Sequence, residues 1–256
     1  GRPARPAGPV TDRARIVVPV ADLLAAPDGA RDRQVPFGHP VAVLERRPGW
    51  ARVRALHDGY EGWTAAGALG AAVTATHRVA VPATHLYPRP DMKTRERCWL
   101  SFNAELRVVS AAGDFLETPD GFVPRPHLRP LDTPFADFVS AAELHLGVPY
   151  LWGGNSTAGI DCSGLVQGAL LAAGRACPGD SGPQAAGLGI DLPADATPRR
   201  GDLYFWPGHV AIAVDGATLI HATARHMAVV REPLVEVLSR ISAAGEGPLT
   251  RRARLS

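Results

Sequence analysis

Cys162, His209 and His221 have the residue types and the order that nucleophilic catalysis needs. Cys162 falls at the start of a predicted helix, where unpaired backbone N–H groups and the helix dipole favour a thiolate. A histidine can hold the thiol proton, and a further polar group can orient that histidine. The same N–H groups could stabilise an oxyanion on a substrate carbonyl. The three residues predict acyl transfer through a thioester, although Cys162 alone would fit a buried structural cysteine.

Whether the two histidines meet depends on the turn between their predicted strands. A three-residue loop at 215–217 puts Ala211 opposite His221, so that His209 becomes its diagonal neighbour on the same face of the sheet. A two-residue loop would point the two side chains to opposite faces. His226, five positions beyond His221, is interpreted as structural or peripheral.

Predicted helices and strands of the C-terminal half must position these residues. The spacing of apolar residues predicts helices over 135–146 and 160–174, and the second has the cysteine in its first turn. A Pro/Gly-rich loop and several strand-like runs follow. Those runs are 202–206, 209–214, 217–222 and 227–231. Helices followed by antiparallel strands are an α+β pattern, which we assign to 133–256.

The chain before this unit consists of short strand-like runs broken by turn residues. Such runs predict a small all-β barrel over 15–72. A second barrel is predicted over 73–132, because DGYEGW at 58–63 is echoed by DGFVP at 120–124. Residues 1–14 are rich in Pro and Arg and predict a disordered lead-in. The barrels are either spacers or walls of the substrate cleft.

The composition excludes several classes of partner. The 256 residues include 27 Lys and Arg against 25 Asp and Glu without a basic stripe, so no nucleic-acid partner is predicted. No apolar run approaches the roughly 20 residues that span a membrane. The three cysteines lack a paired short spacing and suit a reducing compartment. We expect a cytoplasmic protein, or an exported one if a leader has been removed; the sequence does not indicate the oligomeric state.

A series of sequence blocks resembles the NlpC/P60 family of cysteine peptidases. They are GVPYLWGG at 147–154, GIDCSGLV at 159–166, RGDLYFW at 200–206, GHVAI at 208–212 and LIHA at 219–222. The resemblance implies a papain-like catalytic domain whose triad is Cys162, His209 and His221. It also implies that the two barrels are bacterial SH3-like domains, which commonly precede such catalytic domains.

The resemblance further implies a set of substrate-binding residues. Tyr150 is expected near the oxyanion site, and Asp161, Ser163 and Ser181 are expected to line the cleft. Trp152 is expected either in the cleft wall or in the core.

The two barrels and the residues after the second histidine narrow the resemblance to the dipeptidyl-peptidase VI type, the γ-D-glutamyl-L-diamino acid endopeptidases. These enzymes cut cell-wall peptides between D-Glu, linked through its side-chain carboxyl, and meso-diaminopimelate or Lys. In two-barrel members an acid on the first barrel recognises a free L-Ala amine. Where many members have Gly-Glu, this chain has His39 after the glycine, so the acid would be Glu61, Asp28 or Asp32.

We therefore expect a murein peptide substrate, and neither a cofactor nor a metal. One alternative is an inactive protein that binds peptidoglycan through its barrels. A second is an acyltransferase or amidase that uses the same thioester chemistry with another acceptor. A third is a zinc site made by Cys162, His209 and His221, since cysteine and histidine are common zinc ligands.

Overall fold

The computed structural model describes residues 12–244 and 247–255, which form two all-β units and a third unit of helices and strands. Most of the predicted lead-in, residues 1–11, lies outside this description. The first strand begins at Asp12, so residues 12–14 belong to the first barrel and not to a lead-in. Among the described residues, none of the helices has the length and apolar character needed to cross a membrane.

The first barrel is a single antiparallel sheet of seven strands. They are β1 (Asp12–Ile16), β2 (Val20–Leu24), β3 (Arg31–Pro36), β4 (Pro40–Arg47), β5 (Trp50–Ala55), β6 (Glu61–Ala65) and β7 (Leu69–Ala71), in the order β3-β2-β6-β5-β4-β1-β7. Burial alternates along β5, where Ala51, Val53 and Ala55 point inward. This period of two gives each strand one face toward the core.

The second barrel is built from shorter strands in three small sheets. They are β8 (His77–Val79), β9 (Ala83–Leu86), β10 (Cys98–Ser101), β11 (Glu105–Leu106), β12 (Ser110–Ala112), β13 (Phe115–Thr118), β14 (Gly121–Pro124) and β15 (Leu128–Pro130). In each barrel a 3-10 turn follows the penultimate strand and leads into a last short strand. The predicted echo between the two units therefore corresponds to a repeated arrangement of elements.

The third unit has helices on both faces of a six-stranded sheet. Its elements are α1 (Phe138–Glu143), β16 (Asn155–Ser156), β17 (Gly159–Ile160), α2 (Cys162–Ala172), α3 (Ser181–Gly187), β18 (Ile190–Asp191), β19 (Asp202–Trp206), β20 (His209–Ala213), β21 (Thr218–Thr223), β22 (Ala228–Pro233), α4 (Leu234–Ala243) and β23 (Arg251–Arg254). The sheet order is β18-β23-β19-β20-β21-β22. One apolar core joins the sheet to α1 and α2, and another joins its opposite face to α4.

Both predicted helices are shorter than the apolar spacing indicates. Asp137 caps α1 by accepting a hydrogen bond from the backbone N–H of Val139, so this helix begins three residues later than predicted. Asp161 caps α2 in the same way through Gly164. Capping side chains satisfy backbone N–H groups that have no partner inside the helix, and they fix where it starts.

The three units share buried contacts, so the interpretation of the barrels as spacers is wrong. Phe102 of the second barrel belongs to the core of the third unit. Arg15 of the first barrel donates two hydrogen bonds, of 2.7 and 3.0 Å, to Asp120 of the second. At Gly38, φ is +82° and a Cβ atom would lie 1.7 Å from the carbonyl oxygen of Glu105. Only glycine fits this close approach of the two barrels.

Candidate active site

Cys162 is the first residue of α2 and lies beside the start of β20. Its side chain is buried, and Sγ is 3.9 Å from the carbonyl oxygen of Gly208, the residue before His209. Burial, together with the negative charge of Asp161, raises the pKa of the thiol to about 11. Burial therefore opposes the thiolate that the helix start favours. The thiol keeps its proton and needs a base.

His209 and His221 face each other across the hairpin of β20 and β21. The backbone N–H of Val214 donates to the carbonyl of Thr218 at 2.8 Å, which leaves the three-residue loop 215–217. The register that brings the two histidines together is the one observed, and His209 Nε2 lies 2.8 Å from His221 Nδ1. Burial lowers the pKa of His209 to about 3, so the imidazole is neutral and can accept a proton.

Glu232 on β22 extends this line of hydrogen bonds, and the sequence did not suggest it. His221 Nε2 donates to Glu232 Oε2 at 2.7 Å, and Arg240 of α4 donates to the same oxygen at 2.9 Å. His226 Nε2 lies 3.3 Å from the other oxygen. Burial alone would raise the pKa of Glu232, but the hydrogen bond from His221 and the neighbouring positive groups hold it below its ordinary value. The carboxylate is therefore ionised.

Asp161 connects the start of α2 to the preceding loop and to the first barrel. Its carboxylate accepts hydrogen bonds from the N–H groups of Gly164 at 2.6 Å and Gly153 at 3.0 Å, and from the Ser163 hydroxyl at 3.0 Å. Arg33 on β3 is almost completely buried, and its Nη1 lies 3.4 Å from both carboxylate oxygens and 3.2 Å from Ser163 Oγ. Asp161 and Ser163 are thus the sequence neighbours of the nucleophile, and they are hydrogen-bonded to each other and to Arg33 of the first barrel.

Further polar side chains of the first barrel reach α2 and the strand before it. Arg33 Nη2 donates to Gln167 Oε1 at 3.1 Å, and Gln167 Nε2 donates to Asp58 at 2.8 Å. Asn155 donates from its backbone to the side-chain oxygen of Gln34 at 3.2 Å and from its side chain to the Gln34 carbonyl at 3.3 Å. Local sequence patterns do not predict these contacts, because they depend on how the barrel docks.

Acidic groups and a tyrosine of the first barrel lie near the same loop. Burial, followed by the charges of Asp180 and Asp32, raises the pKa of the Tyr60 hydroxyl well above its ordinary value. Burial likewise raises the pKa of Asp180, the residue before α3. A Cβ at Gly153, where φ is +68°, would lie 2.8 Å from the carbonyl oxygen of Asp32. The loop before Cys162 therefore runs directly against the strand that carries Asp32.

Three other predicted residues occupy different surroundings. Burial, followed by the charges of Cys162 and Asp161, raises the pKa of the Tyr150 hydroxyl to about 12, so Tyr150 is a protonated donor close to the nucleophile. Trp152 is 71% exposed, which excludes the core. Ser181 begins α3 and makes no side-chain hydrogen bond within the described part of the chain.

The structure does not bring Glu61 or Asp28 to the site. Glu61 accepts hydrogen bonds from Arg52 at 2.7 Å and Arg54 at 2.6 Å, so its charge is already neutralised on the surface of the barrel. Asp28 lies in the exposed turn between β2 and β3. His39 is buried, with Nε2 2.9 Å from the carbonyl oxygen of Asn103 in the second barrel. Of the acids weighed for amine binding, Asp32 alone lies near the nucleophile loop.

Comparison with known proteins matches two parts of the chain to families. Residues 147–240 match the NlpC/P60 family, and residues 23–69 match the bacterial dipeptidyl-peptidase SH3 domain. The structure resembles that of an NlpC/P60 family protein from Bacillus cereus, with a TM-score of 0.79 over 95% of this chain and 99% of that one, at 22% identity. Residues 147–240 therefore form an NlpC/P60 domain.

Curated relatives match about three quarters of the chain. The gamma-D-glutamyl-L-lysine dipeptidyl-peptidase of Bacillus subtilis is 29% identical over 222 residues, which are 76% of this chain and 73% of that protein. The protein of the same name from Bacillus cereus is 27% identical over 228 residues, which are 75% of this chain and 67% of that protein. The predicted NlpC/P60 resemblance and the α+β, papain-like fold with an N-terminal SH3-like region are confirmed.

The two family matches divide the site between them. The NlpC/P60 domain holds Cys162, Asp180, His209, His221 and Glu232, whereas the SH3 domain holds Asp32, Arg33 and Tyr60. Within residues 12–244 and 247–255, no three cysteine, histidine or acidic side chains are grouped as metal ligands, so the arrangement does not favour the zinc alternative.

Proposed function

We propose that this chain is a cysteine peptidase that hydrolyses the bond between γ-D-glutamate and a diamino acid in cell-wall peptides. The observation that carries the proposal is a buried thiol at a helix start beside a neutral histidine, which is hydrogen-bonded through a second histidine to a carboxylate. The dipeptidyl-peptidase names of relatives that match three quarters of the chain support the choice of substrate.

Acylation begins when His209 accepts the proton of the Cys162 thiol. The sulfur attacks the γ-carbonyl carbon of the glutamyl residue, and the carbonyl oxygen takes the negative charge. Backbone N–H groups at the start of α2 and the Tyr150 hydroxyl are the donors available to that oxyanion. Collapse breaks the carbon–nitrogen bond as His209 passes its proton to the leaving amine, which yields a thioester and a free diamino acid.

Hydrolysis of the thioester uses the same base. His209 accepts a proton from water, and the hydroxide attacks the thioester carbon. The carbon–sulfur bond then breaks, and the sulfur recovers its proton from His209. His209 can serve as the base in both steps because burial lowers its pKa, so that its imidazole is neutral and has one unprotonated nitrogen at neutral pH.

The first barrel would recognise the amino end of the substrate. A protonated L-Ala amine is a small cation. Asp32 of the first barrel and Asp180, the residue before α3, are acidic groups close to the Tyr60 hydroxyl, whose pKa their charges raise. Asp161 is less suited to bind an amine here, because Arg33 lies against both of its oxygens. The free amine would therefore bind to Asp32 and Asp180, whereas Asp161 caps α2.

Mass spectrometry of the products from L-Ala-γ-D-Glu-meso-diaminopimelate tests the proposal. The native chain should release L-Ala-D-Glu and diaminopimelate, Cys162→Ala should release neither, and Cys98→Ala should behave as the native chain does. The N-acetylated peptide should be cut much more slowly. Absence of cleavage by the native chain between pH 6 and 9 would contradict the proposed reaction.

A further inference from the structure

The carboxylate of Glu232 accepts hydrogen bonds from His221 and Arg240, and its second oxygen lies 3.3 Å from His226. We propose that Glu232 is a positioning residue that fixes the tautomers of His221 and His209, so that the lone pair of His209 Nδ1 is the one presented to Cys162. The catalytic consequence rests on the proposed function, whereas the tautomers themselves can be measured without substrate.

An ionised carboxylate determines which nitrogen of a neighbouring neutral imidazole carries the hydrogen. It has no proton and can only accept hydrogen bonds. His221 Nε2 lies 2.7 Å from Glu232 Oε2, so this ring nitrogen must carry the hydrogen. A neutral imidazole has a single N–H, and burial keeps the pKa of His221 below its ordinary value even with Glu232 beside it. His221 Nδ1 is therefore an acceptor.

The tautomer of His221 in turn determines the tautomer of His209. His209 Nε2 lies 2.8 Å from His221 Nδ1, and since the latter accepts, His209 Nε2 must donate. The one N–H of neutral His209 is then used, and its Nδ1 carries a lone pair. Cys162 Sγ lies 3.9 Å from the carbonyl oxygen of Gly208, the residue before His209, and the Nδ1 lone pair is then the one that His209 has available for the thiol proton.

Glu232 is itself held in place from a different helix. Arg240 on α4 donates to the oxygen that accepts from His221, at 2.9 Å, and the two side chains are 18% and 13% exposed. His226 approaches the second oxygen at 3.3 Å. Because both oxygens have partners, the carboxylate cannot easily turn away from His221. A continuous line of hydrogen bonds therefore runs from Arg240 on α4 through Glu232 and His221 to the catalytic base, His209.

Two substitutions separate this role from simple packing. In Glu232→Gln the amide oxygen can occupy the position that accepts from both His221 and Arg240, while the amide nitrogen faces His226, so the tautomers should survive. Glu232→Leu offers no acceptor, and His221 loses the partner that fixes its N–H on Nε2. Glu236→Leu is the control, because this glutamate is exposed on α4.

The experiment is ¹⁵N NMR of the histidine rings in the ligand-free native chain and its variants, together with steady-state kinetics and the rate of iodoacetamide alkylation of Cys162. Native and Glu232→Gln proteins should show both histidines protonated on Nε2. Glu232→Leu should lose that pattern, with kcat and the alkylation rate reduced about 10- to 100-fold and KM little changed, as for other partners that orient a histidine.

Several outcomes would overturn the proposal. One is a native protein with His209 protonated on Nδ1, which can be seen even if Glu232→Leu does not fold. Another is a folded Glu232→Leu variant with native tautomers and native alkylation rate. A native chain that has the expected tautomers and alkylation rate but cuts no γ-glutamyl peptide would instead refute the proposed function and leave the role of Glu232 standing.

Discussion

The two barrels both pack against α2, but they contact different parts of it with different chemistry. The first barrel sends Arg33 to the capping residue of the nucleophile helix, and through Gln167 it also engages Asp58. The second barrel sends Asn103 to the carbonyl of Gly168 at 2.7 Å, and Arg78 donates to the carbonyl of Leu171. One barrel contacts the chemically active end of the helix and the other contacts its far half.

The first barrel therefore helps to build the active site, whereas the second barrel supports the helix that carries it. A charged side chain beside Asp161 affects the position and the surroundings of Cys162, whereas hydrogen bonds to backbone carbonyls seven and more residues further on only anchor the helix. Substitutions in the first barrel should therefore change catalysis and stability together. Matching substitutions in the second barrel should change stability alone.

Arg33→Met should have the largest effect. It leaves Asp161 as a buried carboxylate without its cation, and we expect the free energy of unfolding to fall by about 3 kcal/mol. Because Asp161 caps the nucleophile helix, kcat/KM should also fall at least about tenfold. Urea unfolding and steady-state kinetics measure the two effects. Arg52→Met, which removes a more exposed pair with Glu61, should cost less than about 1 kcal/mol, and equal effects of the two variants would refute the comparison.

His57→Gln should weaken the acid sensitivity of the fold. Burial lowers the pKa of His57 to about 4 in the folded chain, against about 6.5 when unfolded. Between pH 7 and 5 the unfolded chain therefore takes up a proton that the folded chain refuses, and stability falls by about 2 kcal/mol for this residue. The variant should lack that loss when unfolding is measured at both pH values. His127→Gln, at a half-buried position of the second barrel, should change it less.

Asp32→Asn should alter recognition and not chemistry. Removal of one carboxylate weakens a charge-assisted contact with the substrate amine, so kcat/KM for the free-amine peptide should fall about tenfold. The N-acetylated peptide has no such cation and should be cut at an unchanged rate. Steady-state kinetics with both peptides give the ratio of the two kcat/KM values directly. Asp28→Asn in the exposed turn is the matched control, and a drop there of the same size would remove Asp32 from the site.

Asn103→Gly should have the smallest effect and should be confined to stability. Glycine keeps the backbone at φ +63° without strain, so the variant removes only the side-chain hydrogen bond to Gly168. We expect unfolding to become easier by about 1 kcal/mol, with kcat/KM unchanged. A fall in kcat/KM larger than the loss of folded protein would show that the second barrel also shapes the active site.

Local patterns in the sequence were enough to predict the pairing of His209 and His221. The two strands are joined by a short loop, and the alternation of side chains across a hairpin then fixes which residues share a face. The same rule could have found Glu232, because Val230 pairs with His221 and the residue two positions on lies on the same face. The predicted strand ended one residue too early to include it.

Contacts between units could not be predicted in this way. Arg33 and Gln167 are 134 positions apart, and no local pattern tells which barrel surface meets which helix. Glu61 was weighed as an amine-binding acid, yet the neighbouring strand β5 supplies two arginines that neutralise it. The charge state of Cys162 also depends on burial by the assembled fold, which the position at a helix start does not reveal.

The most direct test of the account is the mass of the intact protein during turnover of L-Ala-γ-D-Glu-meso-diaminopimelate, quenched in acid. The account predicts a population that carries one L-Ala-D-Glu acyl group as a thioester on Cys162, removable by hydroxylamine and absent from Cys162→Ala. Turnover without any acylated protein, or an acyl group on Cys98 or Cys177, would contradict it.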